Sequence, residues 1–385
     1  MTAAAHKPRL MHIITAMTVG GAQTLLLDLL PELAADFDIQ LVGLYPGRLS
    51  AEMRRRGIPV HELNHRRLFS PSTLHALIRL MRDFRPLIVH TQLGRADVYG
   101  RTAARLAGVP AIFSTSQNID DWKKRPLFNA LDNFTLRWAR RLIAVSDEVR
   151  RFLVSRGVPE NKITVVYNGV NIERKLALPV GFDRDAWRAQ FGLTPANRLL
   201  TIIARLDEQK GHRFLIPAFA RFAAARPHWR LLVVGDEGRI NDEIKRLADA
   251  CAPPGTVIFA GHRGDIPAVL ASTDVFILPS LWEGHPLTLM EAMLWERPII
   301  ATRVGGIPEV IEHMTTGFLI EPGREEEIHG ALVWMDDHPE QAAGMGRSAK
   351  RIALERCDVR RTADALRRLY REALADAARS AAPQP

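Results

Sequence analysis

The sequence predicts an α/β protein built from two doubly wound, parallel-sheet domains that face a cleft. Three observations lead there. The chain has 385 residues, more than a single hydrophobic core usually organises, so two domains are expected. Short apolar runs alternate with longer amphipathic stretches along the chain. That alternation runs through once and then starts again in the second half.

In the first half the apolar runs at 11–16, 39–44, 87–90, 111–114 and 142–145 predict strands. Helical spacing fills the gaps at 22–33, 73–83, 96–107 and 126–139. The series restarts with runs at 199–204, 231–234, 257–260, 275–278 and 299–301. Runs that are apolar throughout predict strands covered on both faces, as in parallel sheets. The join is expected near 170–195, where Asn168-Gly169, Pro179, Gly181 and Pro195 break the periodicity. The expected division is therefore 1–180 and 181–357, followed by a closing helix over 358–380. In that helix Val359, Ala363, Leu366, Tyr370, Ala373 and Ala377 fall on one face.

Composition narrows the class. No run of about 18 apolar residues is present, so no membrane-spanning helix is expected. The charged start is followed by no long apolar stretch, which argues against a secretory signal. Two cysteines, Cys251 and Cys357, make neither a disulfide framework nor a zinc site, and a cytoplasmic protein is expected. The net charge of +9 comes entirely from the first half, where residues 1–185 carry 27 Lys and Arg against 17 acids. A basic half suits a phosphorylated substrate, an anionic membrane surface or nucleic acid, or is an ordinary set of solvated helix faces. Its clusters (Arg54-Arg55-Arg56, Arg66-Arg67, Lys123-Lys124-Arg125, Arg140-Arg141) are dispersed and form no nucleic-acid module. Around 122–128 and 137–141 aromatics mix with cations, as on a helix at a membrane surface, unless Trp122, Phe128 and Trp138 are core residues.

In a doubly wound domain, chemistry belongs on the loops that follow strands. The segment Glu283-Gly284-His285-Pro286-Leu287-Thr288-Leu289-Met290-Glu291 follows the run at 275–278 and opens a helix. The amides of Leu287 and Thr288 sit where a helix start can hold a phosphate. The two carboxylates suit sugar and ribose hydroxyls. The plainer alternative is a capping acid and a surface acid. After the run at 199–204 comes Arg205-Leu-Asp-Glu-Gln-Lys210-Gly211, which offers two cations to a diphosphate, or two solvated charges. Gly20-Gly21 after the first strand outlines a phosphate cradle. It is not G-x-G-x-x-G, which disfavours a dinucleotide dehydrogenase. Asp236 and Arg263, each at a strand end, are placed to border a nucleobase. Gly305-Gly306-Ile-Pro308-Glu309 reads as a turn leading into a helix.

Taken in order, these motifs resemble the family-four retaining glycosyltransferases, which have the GT-B fold. The likeness runs from Gly20-Gly21 to the final helix. It includes His90-Thr91, Ala103-Ala104-Arg105-Leu106-Ala107-Gly108-Val109-Pro110 and Val145-Ser146 in the first half. The resemblance implies that Gly20 and Gly21 face the donor pyrophosphate, that Arg205 and Lys210 grip its phosphates, and that Glu291 holds the ribose. Glu283 and the amides after it would hold the transferred sugar. The N-terminal domain would take a glycan or lipid-linked acceptor, the C-terminal domain a UDP- or GDP-sugar, and the final helix would cross back to the N-terminal domain. No cofactor or metal is implied. Front-face attack, with Glu283, Arg205, Lys210 and Gln117 as the catalytic candidates, follows from retention.

Three positions depart from the family. Gln117 stands where many relatives carry a His that approaches the sugar, and Gln92 where a second His often follows His90. Gln donates but does not titrate, so no general base is expected there. Glu296 stands where Gly is common at the helix end. The two glutamines keep open a nucleotide-sugar-binding protein without transfer activity. A sugar-nucleotide epimerase on the same scaffold would need acid–base residues that these positions lack.

Overall fold

The apolar runs of the first half become strands of one sheet: β1 (Arg9–Ala16), β2 (Asp38–Tyr45), β3 (Val60–Glu62), β4 (Ile88–Gln92), β5 (Ala111–Ser116), β6 (Arg141–Ala144) and β7 (Ile163–Val165). Those of the second half form β8 (Arg198–Ile203), β9 (Trp229–Val234), β10 (Val257–Gly261), β11 (Val275–Leu278), β12 (Ile299–Thr302) and β13 (Phe318–Ile320). The structure is a computed structural model that describes residues 6–65, 70–119, 126–235 and 238–381. The chain divides into one unit of Met1–Asn168 with Val359–Pro385, and a second of Gly169–Asp358.

Among the described residues the first unit carries a seven-stranded parallel sheet in the order β3-β2-β1-β4-β5-β6-β7. The second carries a six-stranded parallel sheet in the order β10-β9-β8-β11-β12-β13. Every residue of β4, β5, β11 and β12 is buried. That explains why these strands show no polar alternation. In each sheet the winding reverses beside the first strand, between β1 and β4 and between β8 and β11. Such a reversal opens a crevice at the carboxyl ends of the strands.

The last helix, Val359–Ala381, packs on the first unit. Its apolar face brings Tyr370 into the core, edge-on to Phe37 at 5.5 Å and Phe113 at 5.1 Å. The Tyr370 hydroxyl bonds Nδ1 of His90, whose Nε2 lies 2.7 Å from Thr115 Oγ1. Arg367 and Arg371 both reach Asp36, each at 2.7 Å.

One sequence expectation changes in the second unit. The Gly305-Gly306-Ile-Pro-Glu segment leads into a three-residue 3-10 turn, Ile307–Glu309, and not into an α-helix. Glu296 itself takes the left-handed conformation, φ 56°, that a glycine would adopt more easily. Gly346 passes so close beneath it that a Cβ would lie 2.2 Å from the Glu296 carbonyl oxygen. The Glu296 carboxylate accepts from Lys350 at 2.8 Å.

His12 on β1 is fully buried in register with His90 on β4, with ring centroids 4.6 Å apart. Neither ring nitrogen of His12 has a hydrogen-bond partner. Burial pushes the His12 pKa down from 6.5 to about 3, and burial, with His12 beside it, holds His90 well below its usual value. Both imidazoles are neutral in the fold and take protons on unfolding once the pH falls below 6.5. Their depressed pKa values therefore make stability fall as the pH drops through 6 and 5. His12→Leu removes an unpartnered polar group and one of these protons. Urea unfolding at pH 7, 6 and 5 should show a shallower loss for this variant than for the parent, and equal slopes would refute this account.

Candidate functional site

The described chemistry of the second unit gathers on the loops after β8, β11 and β12. Gly211 ends a 3-10 turn, Glu208–Lys210, with φ +69°. A Cβ there would lie 1.9 Å from the Pro279 carbonyl oxygen, so only glycine lets the two loops touch. The contact is then sewn together. Leu281 N donates to Gln209 O at 2.7 Å, and Gln209 Nε2 donates to Trp282 O at 2.8 Å. As a result Lys210 Nζ reaches Glu283 Oε1 at 2.5 Å, and Ser280 Oγ donates to the same oxygen at 2.7 Å. The Lys210 and Glu283 side chains are only 15% and 6% exposed. These are not solvated loop charges.

The loop after β12 closes on the same place. Thr302 Oγ1 donates to Ser280 O at 2.6 Å, and Gly306 N donates to Gly284 O at 2.7 Å. Gly305, at φ +57°, brings its Cα so near that a Cβ would sit 2.1 Å from the Glu283 carbonyl oxygen. The glycine turn that the sequence offered as a plain helix start is in fact a support for Glu283.

The helix Leu287–Leu294 opens directly from this loop, with Pro286 at its N-cap and no side chain capping it. Its first amides belong to Leu287 and Thr288, a start suited to an anion. His285 and Glu291 are both buried. Glu291 is thus no surface acid. Its Oε1 lies 2.5 Å from Nζ of Lys175, a residue that sequence reasoning missed. Lys175 stands far away in the chain and in no motif, so no signal in the sequence marked it. Behind Lys210, His212 is fully buried, and burial first, then the Lys210 charge, push its pKa down to about 4.

Other candidates fall differently. Arg205 is half exposed and pairs with Asp207 at 3.1 Å. Arg263 closes its fork on Asp265 at 2.7 and 2.6 Å and lies over the rings of Trp187 and Phe191. Trp187 Nε1 also donates to Asp265, at 2.9 Å. Arg263 is therefore engaged in holding the helix Arg184–Ala189 to the end of β10. Asp236 lies outside the described residues.

Gly20, Gly21 and Gln117 belong to the first unit. Gly20 is extended, φ −179°, a conformation any residue adopts. Gly21 opens the helix Gly21–Leu33, and a Cβ on it would meet nothing within 4 Å. Space is left beside Gly21, whereas a Cβ on Gly20 would lie 2.6 Å from Gln23 Oε1 and the Gln23 side chain would have to move. Gln117, just past β5, sits in a relay of amides. Its Nε2 donates to Gln92 Oε1 at 3.1 Å, and its Oε1 accepts from Asn168 Nδ2 at 3.0 Å.

Two Rossmann-like units, with a charged and preassembled loop cluster at the switch point of one of them, suit an enzyme that takes a phosphorylated donor. Residues 183–352 match the family Glycosyl transferases group 1, and residues 19–174 match Glycosyltransferase Family 4. The chain belongs to the family-four glycosyltransferases and has the GT-B fold. It is similar to an Escherichia coli protein named UDP-Gal:alpha-D-GlcNAc-diphosphoundecaprenol alpha-1,3-galactosyltransferase, with 28% identity over 347 residues, 86% of this chain and 88% of that one. It is also 28% identical over 233 residues to the lipopolysaccharide core biosynthesis mannosyltransferase LpsB of Rhizobium meliloti (strain 1021), covering 58% of this chain and 64% of LpsB. Among solved structures, Anabaena HepE in complex with UDP and glucose superposes with a TM-score of 0.84 at 22% identity, over 94% of this chain and 99% of that one. That likeness shows the fold.

Gly305→Ala tests the loop support. The added methyl meets the Glu283 backbone, and the left-handed φ disfavours any side chain, together costing about 1–3 kcal/mol. The melting temperature should fall and nucleotide binding should weaken with it. A variant equal to the parent in both would show that Gly305 does not hold Glu283.

Proposed function

We propose that the protein moves a sugar from a UDP- or GDP-sugar to a glycan or lipid-linked acceptor with retention of anomeric configuration. The observation that carries this reading is the buried Lys210–Glu283 pair at the β8/β11 switch point, with the uncapped helix start and Glu291 directly after it. Lys210 and Arg205 grip the donor diphosphate, with the Leu287 and Thr288 amides beside them. Glu283 holds hydroxyls of the transferred sugar, and Glu291 holds the ribose. The second unit is thus the donor domain, and the first takes the acceptor. The E. coli relative is named for UDP-Gal and HepE is solved in complex with UDP-glucose, which makes UDP-sugars the first donors to try.

Retention with no protein nucleophile follows if the acceptor hydroxyl attacks from the face the diphosphate leaves. The bond from C1 to the diphosphate oxygen breaks, the bond from C1 to the acceptor oxygen forms, and a phosphate oxygen takes the acceptor proton. Lys210 and the helix amides then stabilise charge as it grows on the departing diphosphate. Fixed donors in a water-poor site do this well, because they need no reorganisation at the moment of reaction. Gln117 donates a hydrogen bond to the sugar or phosphate and takes no proton.

Thermal stabilisation by a panel of nucleotide diphosphates and their sugars tests the donor site, since a ligand that binds only the fold raises the melting temperature. Stabilisation by one base's nucleotide, lost in Glu291→Ala, supports the reading, and no stabilisation by any of them would sink it. Lys210→Ala should lower turnover at saturating donor about 100-fold. An unchanged rate would remove the leaving-group role.

A peripheral membrane contact is supported by one observation only. Phe134 is half exposed, with the Arg137 guanidinium 3.6 Å from its ring centre. Trp138 lies edge-on to Phe134 at 5.3 Å under the same guanidinium and is partly buried against the core of the first unit. Trp122 and the side chain of Phe128 lie outside the described residues. Salt-sensitive sedimentation with anionic vesicles, lost in Phe134→Ser, is the expected result. Absence of salt-sensitive binding in the parent would dispose of this contact.

A further inference from the structure

A nearly buried carboxylate needs a partner, because leaving it bare costs several kcal/mol or forces a proton onto it. Glu291, one turn into its helix, finds that partner in Lys175 on the five-residue helix Ile172–Leu176. The side chains are 4% and 11% exposed, and Nζ sits 2.5 Å from Oε1. The lysine is held from both sides. Asn171 caps its helix by accepting from Arg174 N at 2.9 Å. Trp295, which caps the helix that carries Glu291, donates from Nε1 to the Lys175 carbonyl at 2.9 Å. Cation and carboxylate are therefore tied together through their backbones as well as their charges.

We propose that Lys175 is a positioning residue for nucleoside recognition. It holds the Glu291 carboxylate turned so that the ribose 2′ and 3′ hydroxyls find both oxygens. An ionised carboxylate offers about four lone-pair positions, and one ammonium hydrogen uses one of them. Oε2 and the second lone pair of Oε1 remain for the two hydroxyls. The choice of cation matters. A lysine is a point charge that engages one oxygen, whereas an arginine fork engages both and would close the carboxylate to ribose.

This inference rests on the reading of Glu291 as the ribose ligand, so both are tested together. The probes are UDP and GDP with their 2′-deoxy counterparts, and the base that binds the parent is carried forward. The parent should prefer the ribonucleotide. Lys175→Met, which keeps the stem and removes the charge, should weaken ribonucleotide binding about ten-fold, bind ribo and 2′-deoxy forms alike, and raise the donor KM with kcat nearly unchanged. Should that variant fail to fold, Lys175→Arg replaces it under the same criterion, because the fork keeps the charge yet removes the ribose preference. Glu291→Gln is measured alongside. If it retains the ribose preference, the assignment of Glu291 to ribose falls. If it loses the preference while the Lys175 variant keeps it, the assignment stands and the role of Lys175 is overturned.

Discussion

The Lys210–Glu283 ion pair holds three loops in one arrangement. A cation and a carboxylate taken out of water must meet at close range and find further hydrogen bonds, or their desolvation goes uncompensated. Here Ser280 supplies the extra donor to Glu283, Thr302 fixes Ser280 from the end of β12, and Gln209 laces the first loop to the second. None of this works unless the backbones approach to contact distance. Gly211 and Gly305 make that approach possible, each in a conformation with positive φ and each with no room for a Cβ. The parallel sheet is what brings these loops together, because it delivers β8, β11 and β12 to the same edge.

The same logic recurs around the site. Lys210, Arg205 and Lys175 each carry a carboxylate partner. A cation parked on an acid is already oriented, so under the proposed donor binding a diphosphate would meet fixed charges at Lys210 and Arg205 instead of mobile ones. That is the condition under which electrostatic stabilisation of a leaving group is most effective. At the ends of β4 and β5 the first unit uses neutral partners. Gln92, Gln117 and Asn168 form a chain of amides at the ends of β4 and β5, and His90, Tyr370 and Thr115 tie the last helix to the sheet.

Legibility in the sequence followed burial and length. Strands β4, β5, β11 and β12 were readable because both faces are covered, so each opens on consecutive apolar residues instead of alternating with polar ones. Strands β3, β7 and β13 have three residues each, too few to show any period, and they lie toward the sheet edges. The turn at Gly305-Gly306 was read as a local helix start because Pro308 and Glu309 fit one. Its actual constraint is the Glu283 backbone pressed against Gly305, which no local rule contains. Arg263 shows the opposite case. Its partner Asp265 stands two residues away in plain view, but the Trp187 and Phe191 rings that keep it there come from another element.

By itself the sequence determined the class of this protein. Alternating apolar runs and amphipathic stretches specify doubly wound sheets, because burial on two faces leaves a mark on every residue of a strand. The spacing of Glu283 and Glu291 across a helix start, with Arg205 and Lys210 after an earlier strand, marked the family. Only the tertiary structure decided which charges meet. Lys175 and Glu291 lie in separate helices, and the tether from Trp295 to the Lys175 carbonyl holds those helices together. Pairing of this kind depends on where the backbone carries a side chain after folding, and a linear pattern records only what is near in the chain.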